Sequence, residues 1–293
     1  MNSKGALFFN PSSGVRPGAA MDPVRAAVES RGLDFIPVGP DTDLFAEIRR
    51  RLEKGERLFI AAGGDGTINH VVQPLVHTEG VLGVVPLGTF NHFARDLKIP
   101  IDWHAALDVA LRGEIRQIDT ARVNDRSFVN NISLGLYPEL VTQRERFRGH
   151  GRLKAYRYAL RWGFEQYPHV SLVVEAPPHY QAIRTHVFMV SVNPYDFSGF
   201  GIEAPRATLE GGELSVYWLP HMPRVHFIRA IARYLAGKIS AVDGLHSVRT
   251  SQLKIQTSGE TIRLGMDGEV LEMMSPLTIT VVPRSLLVRV PRT

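Results

Sequence analysis

The 293-residue sequence contains no cysteine, which excludes disulfide bonds, thiolate catalysis and thiolate metal sites. No apolar run approaches the length that crosses a bilayer as a helix. Near the start only residues 6–9 form an apolar stretch, too short for the hydrophobic region of a secretory signal, so a cytoplasmic protein is expected. Internal repeats, low-complexity tracts and flexible linkers are missing as well. A chain too long for one comfortable core is then expected to form two domains that pack closely and leave a cleft. Base is present in excess: the net charge is +5 and the pI is near 9.6, which points to an anionic partner. Its distribution is uneven. Between 144 and 161 stand seven Arg or Lys residues against the single acid Glu145, and 214–242 carries Arg224, Arg229, Arg233 and Lys238 with no acid at all. No helix-turn-helix, zinc or aromatic-platform signature accompanies these bases, so nucleic acid is not the expected partner.

Residues 58–67 read Leu-Phe-Ile-Ala-Ala-Gly-Gly-Asp-Gly-Thr, a buried-type strand running into a glycine turn with one carboxylate at its tip. Ile68, Val71, Val72, Leu75 and Val76 then recur at helical spacing. Glycine lets backbone N–H groups approach a ligand closely, and at a helix N-terminus such groups suit phosphate. A carboxylate repels phosphate oxygens unless a cation stands between, so Asp65 implies Mg²⁺ beside a nucleotide. The competing interpretation is an ordinary strand-to-helix turn with Asp65 as a helix cap.

The first 118 residues alternate strand and helix. Strands are predicted at 6–9, 34–38, 58–63 and 81–85, and helices at 23–30, from 44 to 52 with Thr42 or Asp41 as cap, from 68 to 76, at 93–97 and from 103 to 111. This rhythm predicts a doubly wound parallel sheet, whose ligands bind at the carboxyl ends of the strands. Three turns rich in Gly, Asn, Ser and Thr fall at that edge: 10–14, 63–67 and 87–91. After Gln117 the pattern changes to short alternating strands at 118–123, 128–133, 170–175, 186–193, 214–219, 253–256, 277–282 and 286–290, interrupted by helical stretches at 144–166 and 222–240. The second half therefore reads as a β-sandwich. The expected division is an α/β nucleotide-binding domain over 1–118 and a β-sandwich over 119–283.

In this order along nearly the whole chain, the motifs resemble the diacylglycerol kinase catalytic family of lipid kinases, which also holds sphingosine kinases. Asn10-Pro11 with Gly14 resembles the family's first nucleotide turn, and Gly63-Gly64-Asp65-Gly66-Thr67-Ile68-Asn69 its signature loop. Pro86-Leu87-Gly88-Thr89-Phe90-Asn91 with Phe93-Ala94-Arg95 resembles the third motif, and Asp119 before Val123-Asn124 the domain junction. Met266-Asp267-Gly268-Glu269 is similar to the acidic motif that the β domain contributes. The signature loop alone is shared with NAD kinases; the five together are specific.

The resemblance implies ATP and Mg²⁺ in an interdomain cleft and transfer of the γ-phosphoryl group to a lipid hydroxyl, and it makes 284–293 a candidate to return to the first domain. It places the nucleotide against Asn10, Pro11, Ser12, Ser13, Gly14, Gly63, Gly64, Asp65, Gly66, Thr67, Ile68, Asn69, Gly88, Thr89 and Asn91. Asp65 and Asp119 are the implied metal residues, and Glu269 or Asp267 the base that takes the hydroxyl proton. For Asp267-Gly268-Glu269 the alternative is a plain β-turn. The expected acceptor is diacylglycerol, giving phosphatidic acid. A sphingoid-base or other lipid kinase, an NAD kinase and a catalytically weakened nucleotide- or lipid-binding regulator are the alternatives.

Three positions depart from the family pattern. His92 stands where an Asp is usual, leaving the metal network one carboxylate short. Gly211, within Leu209-Glu210-Gly211-Gly212-Glu213, stands where many bacterial relatives carry a structural Mg²⁺ ligand. No Thr occupies the nucleotide-contact position near Gly39–Pro40, with Asp41 and Thr42 as neighbours. The basic stretch 144–161 is interleaved with Leu153, Tyr156, Tyr158, Leu160 and Trp162, a mix that suits reversible contact with an anionic membrane.

Overall fold

The computed structural model describes residues 5–12, 21–39, 41–88, 91–146, 161, 165–166, 169–177, 179–195, 206–227, 229 and 245–292. The chain divides into two compact units: residues 1–120, 126–129 and 282–293 form the first, and 121–125 with 130–281 form the second.

The first unit opens with β1 (Gly5–Phe9), α1 (Met21–Glu29), β2 (Asp34–Pro37), α2 (Leu44–Glu53), β3 (Leu58–Gly63), α3 (Asp65–Val72), β4 (Val81–Pro86), α4 (His92–Asp96) and α5 (Trp103–Arg112). β1 pairs in parallel with β2 on one side and β3 on the other, and β3 pairs in parallel with β4. The strand order 2-1-3-4 places a topological switch between β1 and β3, where doubly wound sheets bind ligands. β1, β3 and β4 are buried almost throughout, as strands covered on both faces must be. Phe8, Phe59, Ile60, Ile68, Leu75 and Phe93 are among the fully buried side chains. Asp102 caps α5 by accepting from Ala105 N at 2.9 Å. Asp43, rather than the expected Thr42 or Asp41, caps α2 by accepting from Ala46 N at 2.9 Å; it directly precedes the first helical residue and reaches the third. Thr42 instead closes a turn with its hydroxyl accepting from Gly39 N. α3 ends at Val72, short of the helical spacing that runs on to Val76, because Pro74 cannot continue the ladder.

β5 (Glu114–Val123) leads out of the first unit and β6 (Arg126–Phe128) back into it. The second unit then contains β7 (Asn131–Gly135), α6 (Leu136–Arg146), β8 (Val170–Ala176), β9 (His179–Val192), β10 (Leu214–Pro220), β11 (His246–Thr250), β12 (Gln252–Gln256), β13 (Thr261–Met266), β14 (Glu269–Met274) and the first part of β15 (Leu277–Val290). Its pairings are antiparallel. The 14-residue β9 serves two layers: its first half pairs with β8, which continues through β12 to β15, and its second half lies between β7 and β10. β13 and β14 extend the layer from β7, and β11 extends it from β10. Ile132, Leu134, Phe188, Val190, Val216 and Leu264 are fully or almost fully buried.

The last part of β15 belongs to the first unit, where Leu287 and Val288 pair in parallel with Val81 and Leu82 of β4. The predicted strands 277–282 and 286–290 are thus one strand, which runs past Pro283 and through Arg284 at a φ of +48°. The predicted helical stretch 144–166 coincides with the end of α6 and with helical residues 161 and 165–166; its other residues lie outside those described, as do 230–240. α6 begins at Leu136, well before the expected start, and Pro138 falls in its first turn, where a missing N–H costs nothing.

Candidate active site

At the carboxyl edge of the first unit's sheet, the three polar turns meet. Asn10 directly follows β1, and its N–H continues the ladder onto Ala62 O at 2.9 Å. Its amide Nδ2 donates to Thr67 Oγ1 at 2.8 Å, while its Oδ1 accepts from Ser12 N at 2.9 Å. One side chain thereby shapes the 10–12 turn and ties it to the start of α3. Pro11 and Ser12 are exposed; Ser13, Gly14 and Thr89 lie outside the described residues.

The glycines of the 63–66 turn answer to close packing. A Cβ on Gly63 would stand 2.5 Å from Thr67 Oγ1, and a Cβ on Gly88 would stand 2.5 Å from Gly64 Cα. Both lie below any distance a real Cβ shows, so the two turns approach as only backbone can. Leu87 N donates to Gly63 O at 2.9 Å, carrying the β3–β4 pairing one step past the strands. Asn91, at a φ of +52°, closes its own turn: Gly88 N donates to its Oδ1 at 2.9 Å and its Nδ2 donates to Gly88 O at 3.0 Å.

Asp65 is half-buried at the first position of α3. Its carboxylate accepts from His92 N through Oδ2 at 3.3 Å and from Phe93 N through Oδ1 at 3.2 Å. It is therefore a helix cap, but for α4 rather than for the helix it begins. His92 offers its backbone to this contact while its side chain is exposed. Ile68 is fully buried on the core side of α3, and the Oδ1 of buried Asn69 accepts from Gln73 Nε2 at 2.7 Å. Gln73 in turn exchanges a pair of hydrogen bonds with the backbone of Ser127 in β6.

Asp119 is buried on β5 in the same unit, with Oδ1 accepting from Arg284 N at 2.9 Å. Next to it, the Thr120 and Ser285 hydroxyls are 2.8 Å apart. Among the described residues, no three His, Cys, Asp or Glu side chains gather closely enough to hold a metal alone. With Asp65 as one carboxylate among N–H-rich turns, a divalent ion here would take its other oxygen ligands from phosphate and water.

In the second unit, Asp267 and Gly268 form the two-residue turn between β13 and β14, with φ of +47° and +91°. Positive φ at both positions matches the tight hairpin turns that favour Asp-Gly. Asp267 is buried, and its Oδ1 accepts from Asn130 N at 2.9 Å and Asn131 N at 3.1 Å. Glu269 opens β14, half-buried. Gly211 packs on Asn193: a Cβ there would stand 2.6 Å from Asn193 Oδ1, and Asn193 N donates to Glu213 O at 2.9 Å. This contact gives Gly211 a steric reason to be glycine.

The family model "Diacylglycerol kinase catalytic domain" matches residues 4–123, and "YegS C-terminal NAD kinase beta sandwich-like domain" matches residues 139–290. The chain belongs to the diacylglycerol kinase catalytic-domain family. A diacylglycerol kinase from Staphylococcus epidermidis is 36% identical over 138 residues, covering 44% of this chain and 43% of the relative. One from Staphylococcus aureus is 34% identical over the same length, with the same shares covered. The matched part thus spans less than half the length of these curated relatives. Among solved structures, a putative diacylglycerol kinase from Bacillus anthracis str. Sterne superposes with a TM-score of 0.76 at 19% identity, covering 99% of this chain and 97% of the other. A second structure from that organism gives 0.70 at 17%. At such identities the likeness is one of fold, an α/β unit followed by a β-sandwich.

The site contacts that sequence reasoning missed join residues far apart in the chain. Asp65 reaches across 27 positions to His92, and Asp267 across 137 to Asn130. Neither spacing leaves a local signature. Only the positive-φ demand at Asp267-Gly268 was readable as turn chemistry.

Proposed function

We propose that the chain is an ATP- and Mg²⁺-dependent lipid kinase that phosphorylates diacylglycerol to phosphatidic acid. The observation that carries this is the meeting of the 10–12, 63–67 and 87–92 turns at the carboxyl edge of a doubly wound sheet, in a chain whose curated relatives are called diacylglycerol kinases. The backbone of Gly63, Gly64, Gly66 and Gly88, with Asn10, Thr67 and Asn91, would bind the phosphates, joined by Pro11, Ser12, Ser13, Gly14, Ile68, Asn69 and Thr89 as implied neighbours. Asp65 would hold the magnesium, with Asp119 supporting it. When bound, that ion would shield the triphosphate charge.

We take Glu269 as the base, with Asp267 as the alternative. Asp267 Oδ1 is already engaged by two backbone N–H groups that hold its turn in place. The acceptor hydroxyl would give its proton to the Glu269 carboxylate as its oxygen bonds to the γ-phosphorus and the bridge to ADP breaks. General-base help of this kind is worth about 10²–10⁴ in rate. Glu269→Gln should therefore lower kcat by about that factor. Asp267→Asn, by contrast, should lower stability along with activity.

No helix among the described residues is long and apolar enough to cross a membrane. We place the enzyme in the cytoplasm, visiting an anionic membrane surface to reach its lipid. Incubation with labelled ATP and a panel of diacylglycerol, sphingosine, NAD and buffer tests the reading. Labelled phosphatidic acid is the expected product. Labelled NADP or sphingosine phosphate instead would refute the diacylglycerol assignment, and nucleotide binding without any product would make the chain a regulator.

A further inference from the structure

We infer that Gln73, which lies beyond the signature loop, is a positioning residue for the nucleotide site. The inference rests on the proposed nucleotide site and deepens it. Gln73 is the C-cap of α3, the helix that begins in the glycine turn, and its N–H donates to Asn69 O at 3.1 Å. Its side chain leaves the helix for β6. There Oε1 accepts from Ser127 N at 3.0 Å, while Nε2 donates to Ser127 O at 2.5 Å and to Asn69 Oδ1 at 2.7 Å. The carboxamide thus pairs with Ser127 as the peptide group of a neighbouring strand would. Because the Ser127 N–H can only donate and its C=O only accept, the orientation of the Gln73 amide is settled. Gln73 then has only an N–H to offer Asn69, which fixes the buried Asn69 amide with its oxygen towards Gln73.

Apolar burial leaves α3 a freedom that this pairing removes. Ile68, Val71 and Val72 are fully buried, which sets the face that α3 turns inward. Burial is non-directional and resists a small slide along the helix axis only weakly. Hydrogen bonds are directional, and two of them to one strand residue hold α3 along its axis. The start of the helix has little tolerance for such a slide. Asn10 Nδ2 meets Thr67 Oγ1 at 2.8 Å, and Gly63 lies so close to Thr67 that a Cβ would not fit. A shift of α3 would carry its first N–H groups away from the 10–12 turn. Gln73 therefore sets the nucleotide turn from the opposite end of the helix.

A positioning role predicts that nucleotide affinity depends on a side chain about 12 Å from the start of its helix. In titration calorimetry of ADP with excess Mg²⁺, Gln73→Met keeps the length of the side chain and loses its three hydrogen bonds. It should weaken ADP about fivefold, the order of one net hydrogen bond. Ser127→Ala is the control. Both bonds use the Ser127 backbone, so its affinity should stay within about twofold of wild type. Melting curves show whether each variant is folded at the titration temperature. The wild-type chain gives a second reading, because coupling between two sites is reciprocal. Saturating ADP should slow hydrogen exchange at the Ser127 amide by up to about fivefold. Wild-type ADP affinity in folded Gln73→Met would overturn the inference and leave the pairing a tie that serves folding alone. Should Gln73→Met fail to fold, unchanged Ser127 exchange on ADP binding by wild type would overturn it equally. A loss in Ser127→Ala as large as in Gln73→Met would overturn it too, by assigning the effect to β6 at large. Absence of ADP binding by the wild-type chain would sink the proposed nucleotide site and the inference with it. That result differs from failure of the positioning role, in which wild type binds and Gln73→Met matches it.

Discussion

On the buried side of α2, Arg51 gathers three carboxylates around one guanidinium. Nε meets Glu47 Oε1 at 2.7 Å, and Nη1 meets Glu56 Oε2 and Asp34 Oδ2, each at 2.8 Å. The cluster fastens the helix to β2 and to the turn that leads into β3, the strand that ends in the glycine turn. Burial alone would lower the Arg51 pKa, but the hydrogen bonds to Glu56, Glu47 and Asp34 carry it above its usual value. Burial alone would likewise raise the Glu47 carboxyl, and the bonds from Arg50 and Arg51 outweigh it and hold it below the ordinary range. A carboxyl depressed by folding stabilises the native state above its unfolded pKa of about 4.3, and that contribution is lost as pH falls through the folded value. Arg51→Ala strands three acids, so it should cost about 3 kcal/mol at pH 7, the low end for a buried pair because Asp34 is half-exposed. In urea denaturation the gap from wild type should narrow as pH falls through the depressed titration of Glu47. A gap that does not change with pH would assign the loss to packing of the arginine stem instead.

The second half of β15 is held to the first unit at several points besides its pairing with β4. Arg289 donates to Gly113 O and Arg292 to Arg112 O at 3.1 Å, so two cations meet the carbonyl end of α5, where the helix dipole favours them. Gly113 permits this approach, since a Cβ there would collide with Val290 O and Val109 O, both backbone atoms. Gly113→Ala should cost about 1–3 kcal/mol, read as a lower urea midpoint, because neither obstacle can rotate away. An unchanged midpoint would mean that β15 shifts along β4 at little cost. Such ties explain why some elements were legible in the sequence and others were not. α2 and α5 announce themselves by apolar residues at helical spacing after an aspartate, and β3 and β4 by apolar runs closed by glycine or proline. The β13–β14 hairpin was missed although Ile262, Leu264 and Met266 alternate inward, because β14 has no fully buried residue to mark a matching face. The division of β15 at Pro283 was a sound local inference that long-range pairing overrode. The trans cap on α4 was invisible for the same reason, since chain spacing does not encode it.

Over the whole molecule the excess of base is the property most open to a direct test. Much of it lies at 144–161, mostly outside the described residues. Each Lys or Arg near an anionic surface contributes about 1 kcal/mol, and three or four facing it give about 3–4 kcal/mol. That is millimolar-scale binding, enough for repeated visits and too weak for residence. Interactions of this kind are screened over about 10 Å at 0.1 M salt and about 3 Å at 1 M. Co-sedimentation with vesicles containing phosphatidylglycerol should therefore be measurable at low salt, fall steeply as salt rises, and vanish on phosphatidylcholine alone. Replacing Arg152, Lys154 and Arg157 together by glutamine removes about 3 kcal/mol of attraction and should weaken vesicle binding on the order of 100-fold. Phosphorylation of a short-chain, water-soluble diacylglycerol by the same triple variant should be unaffected, because that substrate needs no surface. Salt-insensitive binding, or a triple variant that binds as wild type does, would show that the membrane is met by apolar contact elsewhere. Loss of activity on the soluble substrate would mean instead that these bases act on the substrate itself rather than on the surface around it.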